Sequence, residues 1–84
     1  MTQDEIQATI KTYITKHLLR SGDADLKADT PLLEWGILNS MNIAKLMNFV
    51  RENIGVTVPP NAVTGKNFRD LDAIVSMVCA LRAE

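Results

Sequence analysis

Asn39-Ser40-Met41-Asn42-Ile43-Ala44-Lys45-Leu46-Met47-Asn48-Phe49-Val50-Arg51-Glu52-Asn53-Ile54-Gly55 is the stretch that decides the fold. Its apolar residues Ile43, Leu46, Met47, Val50 and Ile54 recur at i, i+3, i+4, i+7 and i+11, the spacing of one buried helix stripe. The spacing predicts a helix over 40–54, capped by Asn39 or Ser40 and ended by Gly55. Two flanking segments have the same period. Residues 2–20 open with Thr2 and Glu5 at capping-box spacing. Ile6, Ile10, Tyr13, Ile14 and His17 then share one face, and Ser21-Gly22 supplies a stop. Residues 71–83 follow Asp70, a plausible N-cap. Their stripe of Leu71, Ile74, Val75 and Val78 is widened by Met77, Cys79 and Leu81. A helix this broadly apolar is expected to lie between others.

The connections carry their own information. Residues 23–38 hold Leu26, Leu32, Leu33, Trp35, Ile37 and Leu38, too apolar for a free loop. They are expected to pack over the helices as a long ordered crossover. Val56-Thr57-Val58 reads as an extended connector because Pro59-Pro60 follows. A short helical turn is expected within 60–65. The expected fold is all-α, a small antiparallel bundle in a single domain, 1–84.

Composition excludes much. The 84 residues have 46% hydrophobic and 23% charged content, ordinary for a globular chain. A net charge of −1 argues against a nucleic-acid binder. One Cys and one His are too few for a Cys/His metal site and rule out an internal disulfide. The polar, acidic N-terminus is the wrong start for a signal peptide, and no apolar run is long enough for a membrane span. A cytoplasmic, monomeric protein is expected, with net stability of ~4–13 kcal/mol.

Ser40 is the residue of interest. A helix N-terminus carries partial positive charge and unpaired N–H groups, which suit a serine bearing a phosphate ester. The plainer role is N-capping. Met41 is set about 160° from the centre of the buried stripe and should face water or a partner.

Gly36-Ile37-Leu38-Asn39-Ser40-Met41 resembles the attachment motif of acyl and peptidyl carrier proteins, whose usual form is Gly, apolar residues, then Asp-Ser-Leu or Asp-Ser-Met. The resemblance extends through Thr30-Pro31-Leu32, Leu46, Ile54-Gly55-Val56, Val58-Pro59, Phe68, Leu71 and Ile74. The Gly-x-Leu-Asn-Ser-Met spacing is most similar to free-standing aminoacyl carriers. This resemblance implies a four-helix bundle with a long first loop and a short third helix. It implies 4′-phosphopantetheine on Ser40, transferred from coenzyme A by a phosphopantetheinyl transferase. Loading enzymes of adenylation or acyltransferase type and downstream condensing or tailoring enzymes would be further partners. The cargo would be aminoacyl, peptidyl or acyl groups of a nonribosomal-peptide-like or polyketide-like pathway. Polyketide or fatty-acid use, or an unmodified interaction module of the same fold, are the alternatives. The chain itself would need no catalytic residue.

Two features depart from the family pattern. Asn39 stands where the family usually has Asp. The outer face of the second helix reads Met41, Lys45, Asn48 and Glu52, with Arg51 beside it, in place of a strongly acidic face. Partner contact is therefore expected to be apolar, centred on Met41 with Asn39, Lys45, Asn48, Trp35 and Val63, and Ala62 near it. Trp35 is assigned first as an anchor of the long connection and second as a partner contact. Substitution of Leu33 or Trp35 by Ala is accordingly expected to destabilise. His17 is expected to pack or cap, and Cys79 and Phe68 to lie in the core. A nucleophilic-enzyme role for Ser40 lacks material for a triad. The start at Met1 reads as a stand-alone protein.

Overall fold

The computed structural model describes residues 2–18 and 26–82. The predicted stop at Ser21-Gly22 lies outside them. Three α-helices form the frame: α1 over Gln3–Tyr13, α2 over Ser40–Asn53 and α3 over Leu71–Arg82. The all-α expectation is met. A fourth α-helix is not found among the described residues, because the expected third helix is a single 3-10 turn at Pro60–Ala62. Pro59-Pro60 removes two consecutive amide donors, so the chain enters extended and completes only one turn.

The Thr2–Glu5 capping box forms as its spacing requires. Thr2 Oγ1 accepts from the Glu5 amide at 3.2 Å, and Glu5 Oε1 accepts from the Thr2 amide at 3.1 Å. Hydrogen bonds from the Thr2 backbone and side chain hold the Glu5 carboxyl below its ordinary range. The folded form therefore binds that proton less readily than the unfolded form. The resulting stabilisation is complete above the ordinary glutamate range and is lost as pH falls through the lowered value.

α1 gives way to one π turn, Ile14–Leu18, and the last two residues of the expected 2–20 helix lie outside the described residues. A π turn advances each residue by less than the α-helical ~100°. Ile14 still completes the buried Ile6–Ile10–Ile14 stripe, but three smaller angular steps leave His17 short of that stripe. The expected packed histidine is in fact exposed. Its ring lies 4.9 Å from that of Tyr13, which stacks on Phe49 of α2 at 4.2 Å.

The core gathers Ile6 and Ile10 from α1, Ile14 from the π turn, Leu46 and Val50 from α2, and Leu71, Ile74, Val75, Met77 and Val78 from α3. Full burial of each such side chain stabilises by ~1.5–3 kcal/mol. α3 has the broadest buried face and packs against α1. Phe68 is buried as expected, whereas Cys79 sits half-buried at the edge of the core. Asp70 caps α3, its Oδ1 accepting from the Ala73 amide at 2.8 Å. Arg69 Nε donates to the other carboxylate oxygen at 3.2 Å. No helix among the described residues is long and apolar enough to cross a membrane.

The described part of the long connection is ordered by three leucines and by backbone bonds to the start of α3. Leu26, Leu32 and Leu38 are buried, and Leu33 and Ile37 are half-buried. The Leu32 amide donates to the Arg69 carbonyl at 2.8 Å, and the Asp72 amide donates to the Ala28 carbonyl at 3.0 Å. Trp35 does not anchor this segment: it is 65% exposed. Its amide donates to the Pro31 carbonyl in a turn that projects the indole outward while the leucines fill the interior. Gly36 closes that turn at φ 75, a left-handed conformation that glycine adopts freely. Leu32→Ala should therefore destabilise by ~2–5 kcal/mol, while Trp35→Ala should stay within ~0.5 kcal/mol of wild type. Chemical denaturation of the two variants checks the contrast.

Candidate functional site

The entry to α2 is built by two asparagines. Leu38 is buried and pins the chain just before the helix. Asn39 is extended, at φ −143 and ψ −179, and serves as the N-cap. Its Oδ1 accepts from the Asn42 amide at 3.0 Å, and its carbonyl accepts from the Ile43 amide at 2.8 Å. Asn42 reaches back through Nδ2 to the Ile37 carbonyl at 2.9 Å. The cap thus binds the helix to the connection from both sides. The choice between Asn39 and Ser40 as cap is resolved in favour of Asn39. Asn42 is a site residue that sequence reading missed. Its only signal was a polar amide three residues after the cap.

Ser40 is the first residue of α2 and is exposed. Among the described residues no hydrogen bond engages its hydroxyl. No acidic residue stands in the first turn of α2, and the cap is a neutral amide. The partial positive charge of this helix end is therefore not offset by a carboxylate of its own turn. The Ser40 and Met41 amides precede the first intrahelical donor, the Ile43 amide, and remain available to an anion. A phosphodiester on the Ser40 oxygen fits here: the hydroxyl is accessible and the dipole favours the charge.

The surroundings are apolar and exposed. Met41 is 68% exposed, Trp35 65% and Val63 37%, and these are the large hydrophobic side chains that the described surface leaves most open. The half-buried Leu33 comes within 3.9 Å of where a side chain on Gly65 would begin. The segment carrying Val63 therefore lies against the connection carrying Trp35. Asn39, Lys45 and Asn48 are all exposed, with Lys45 and Asn48 further along α2. Asn48 Oδ1 accepts from Arg51 Nη2 at 3.4 Å, an i,i+3 pair that the sequence reading did not single out.

Residues 8–78 match the family described as the phosphopantetheine attachment site. The chain belongs to that family of carrier proteins. Its members take 4′-phosphopantetheine covalently, which agrees with the accessible serine and the uncompensated helix end. The carrier is similar to a chain in a crystal structure of an FAD-dependent dehydrogenase, with a TM-score of 0.78 and 28% identity over 83% of this chain and 99% of that one. It is also similar to a structure of Bradyrhizobium japonicum glycine:[carrier protein] ligase complexed with glycylated carrier protein. There the TM-score is 0.65 and the identity 26%, over 90% of this chain and 97% of that one. Comparison with curated protein sequences gives no match.

The neutral cap of the carrier makes a direct prediction. Asn39→Ala should cost ~1 kcal/mol of stability through loss of the Asn42 amide bond. Asn39→Asp should keep that bond and gain ~0.3–1 kcal/mol from the helix dipole at low ionic strength. Thermal unfolding at low and high salt separates the two terms.

Proposed function

We propose that Ser40 bears the 4′-phosphopantetheine arm and that the protein presents aminoacyl, peptidyl or acyl intermediates to a succession of separate enzymes. The observation that carries this reading is the position of Ser40: exposed, first in α2, beside a neutral Asn39 cap, in a turn without a carboxylate. The arm, when attached, supplies a terminal thiol that holds the cargo as a thioester. The chain's own residues do the rest. The Asn39–Asn42 clamp sets the direction in which the Ser40 oxygen leaves the surface. The open Ser40 and Met41 amides favour the phosphate charge. Tethering keeps the cargo at high effective concentration near each bound enzyme. No residue of the chain is assigned a catalytic role.

A dedicated aminoacyl or peptidyl pathway, of the nonribosomal-peptide-like or polyketide-like kind, is the preferred setting. Similarity to a glycylated carrier seen with its ligase supports it. The partners are a phosphopantetheinyl transferase, a loading enzyme of adenylation or acyltransferase type, and condensing or tailoring enzymes. We assign their contact surface to Met41, Trp35 and Val63, edged by Asn39, Lys45 and Asn48. The mixed charge along α2 provides little long-range steering, so binding should rest on apolar contact.

Incubation with coenzyme A, magnesium and a broad-specificity transferase should raise the intact mass by one phosphopantetheine. Ser40→Ala should abolish the gain while leaving the far-ultraviolet spectrum unchanged. Absence of the gain with several transferases would refute the assignment. For a loading enzyme that accepts the wild type, Met41→Glu should lower kcat/KM at least ~10-fold, the effect of ~1.4 kcal/mol. Raising ionic strength from about 0.1 M to about 1 M should change the wild-type value little.

A further inference from the structure

A groove of about 440 Å³ lies where α1 meets α2. It is lined by Thr9, Thr12 and Tyr13 of α1, Lys16 and His17 of the π turn, and Phe49 of α2. Phe49 is nine residues beyond Ser40. At ~100° and ~1.5 Å per residue, it stands half a turn round α2 from Ser40 and ~13 Å along the axis. The groove therefore opens on the side of α2 away from Ser40. Its floor is aromatic. Phe49 stacks on Tyr13 at 4.2 Å, and the His17 ring extends the row at 4.9 Å from Tyr13. The π turn shapes the rim: it keeps His17 beside Tyr13 and leaves Lys16 exposed next to it. Thr9 and Thr12 add hydroxyls along the α1 wall. No carboxylate lines the groove. From Ile6 to Leu18 the chain has Lys11, Lys16 and His17 and no acid. α2 places Lys45 one turn before Phe49 and Glu52 one turn after it. Among the described residues, Lys16 and His17 make no ion pair and no hydrogen bond.

We propose that this groove binds an acidic segment of a partner protein, which lays one aromatic or aliphatic side chain on the Tyr13–Phe49 stack and places a carboxylate at Lys16 and His17. Tyr13 and Phe49 are only half-buried, so a side chain laid on them removes further apolar surface from water. The unpaired Lys16 ammonium and a His17 ring N–H are donors for the carboxylate. A membrane or a nucleic acid fits less well, because the groove is concave and bears few cations in a chain of net charge −1. A second copy of the chain also fits less well. Its exposed Trp35, with Glu34 beside it, would enter head to tail, a contact that does not close into a dimer. The groove is thus a second contact surface, additional to the one centred on Met41. A protein held there keeps the carrier close while Ser40 stays open to other enzymes.

The test uses the apo protein, so its outcome does not depend on modification of Ser40. A blocked peptide, Glu-Glu-Leu-Phe-Glu-Glu-Leu, is titrated and followed by nitrogen-15 and carbon-13 NMR. Binding should shift the signals of Thr9, Thr12, Tyr13, Lys16, His17 and Phe49 and leave those of Ser40 and Met41 in place. Peptides with Ala for Phe, or with Lys at every Glu position, should bind at least ~5-fold more weakly. Raising salt from about 0.05 M to about 0.5 M should weaken the acidic peptide at least ~3-fold. Lys16→Gln/Thr12→Glu, at two exposed positions, should abolish the shifts. Lys66→Gln, which removes the same charge elsewhere on the surface, should not. No shift at millimolar peptide, shifts confined to other residues, or equal binding of the Glu and Lys peptides would overturn the proposal. So would the same signals moving on dilution of the protein alone, the mark of self-association. Their moving with phosphatidylglycerol vesicles but not with the peptide would assign the groove to lipid instead.

Discussion

Leu32 is the residue through which the long connection is fixed to the helices. Its side chain is fully buried. Its amide donates to the Arg69 carbonyl, and its carbonyl accepts from both Ile37 and Leu38. One residue thereby joins the approach to α2 to the approach to α3. Burial of an unpaired backbone group costs ~1–3 kcal/mol, so satisfied bonds at a buried leucine resist displacement. The buried Leu38 and the Asn39–Asn42 clamp then carry this rigidity the last few residues to Ser40. A tethered group is presented reproducibly only if its root is held, and Ser40, the proposed root, is held by loop packing as much as by helix formation.

The second constraint is electrostatic. Helix starts commonly carry an acid, and α1 does so with Asp4 and Glu5. α2 does not. Its capping bond comes from an amide, which satisfies a backbone donor without adding negative charge. The helix end that carries Ser40 keeps its full dipole, whereas the start of α1 is offset by its own acids. Charge stays sparse along α2, where Glu52 offsets one of the two cations Lys45 and Arg51.

Most of the architecture was legible from periodicity. The α2 stripe, the Thr2–Glu5 box, the Asp70 cap and the buried leucines of the connection all follow from residue type and spacing. The errors have definite causes. A 3.6-residue period extended across Ile14–Leu18 places His17 inward, but the helix widens there. Composition shows that the connection is apolar but not which side chain turns inward, and Trp35 turns outward. The third helix shrank to one turn because the two prolines limit it more than the following residues extend it. At the candidate site, motif and helix position single out Ser40 as the proposed attachment residue. The bond from Asn42 back to the Ile37 carbonyl needed three-dimensional placement, since it depends on how the connection turns into α2.

The exposure of Trp35 has an optical consequence. The chain has one tryptophan and one tyrosine, and they report on different places. Trp35 stands in water on the connection leading into Ser40, whereas Tyr13 is stacked on Phe49 at the packing of α1 against α2. Indole emission is sensitive to the polarity around the ring. The unlabelled protein therefore contains its own fluorophore at the approach to the proposed docking surface, spectrally separable from events in the helical frame.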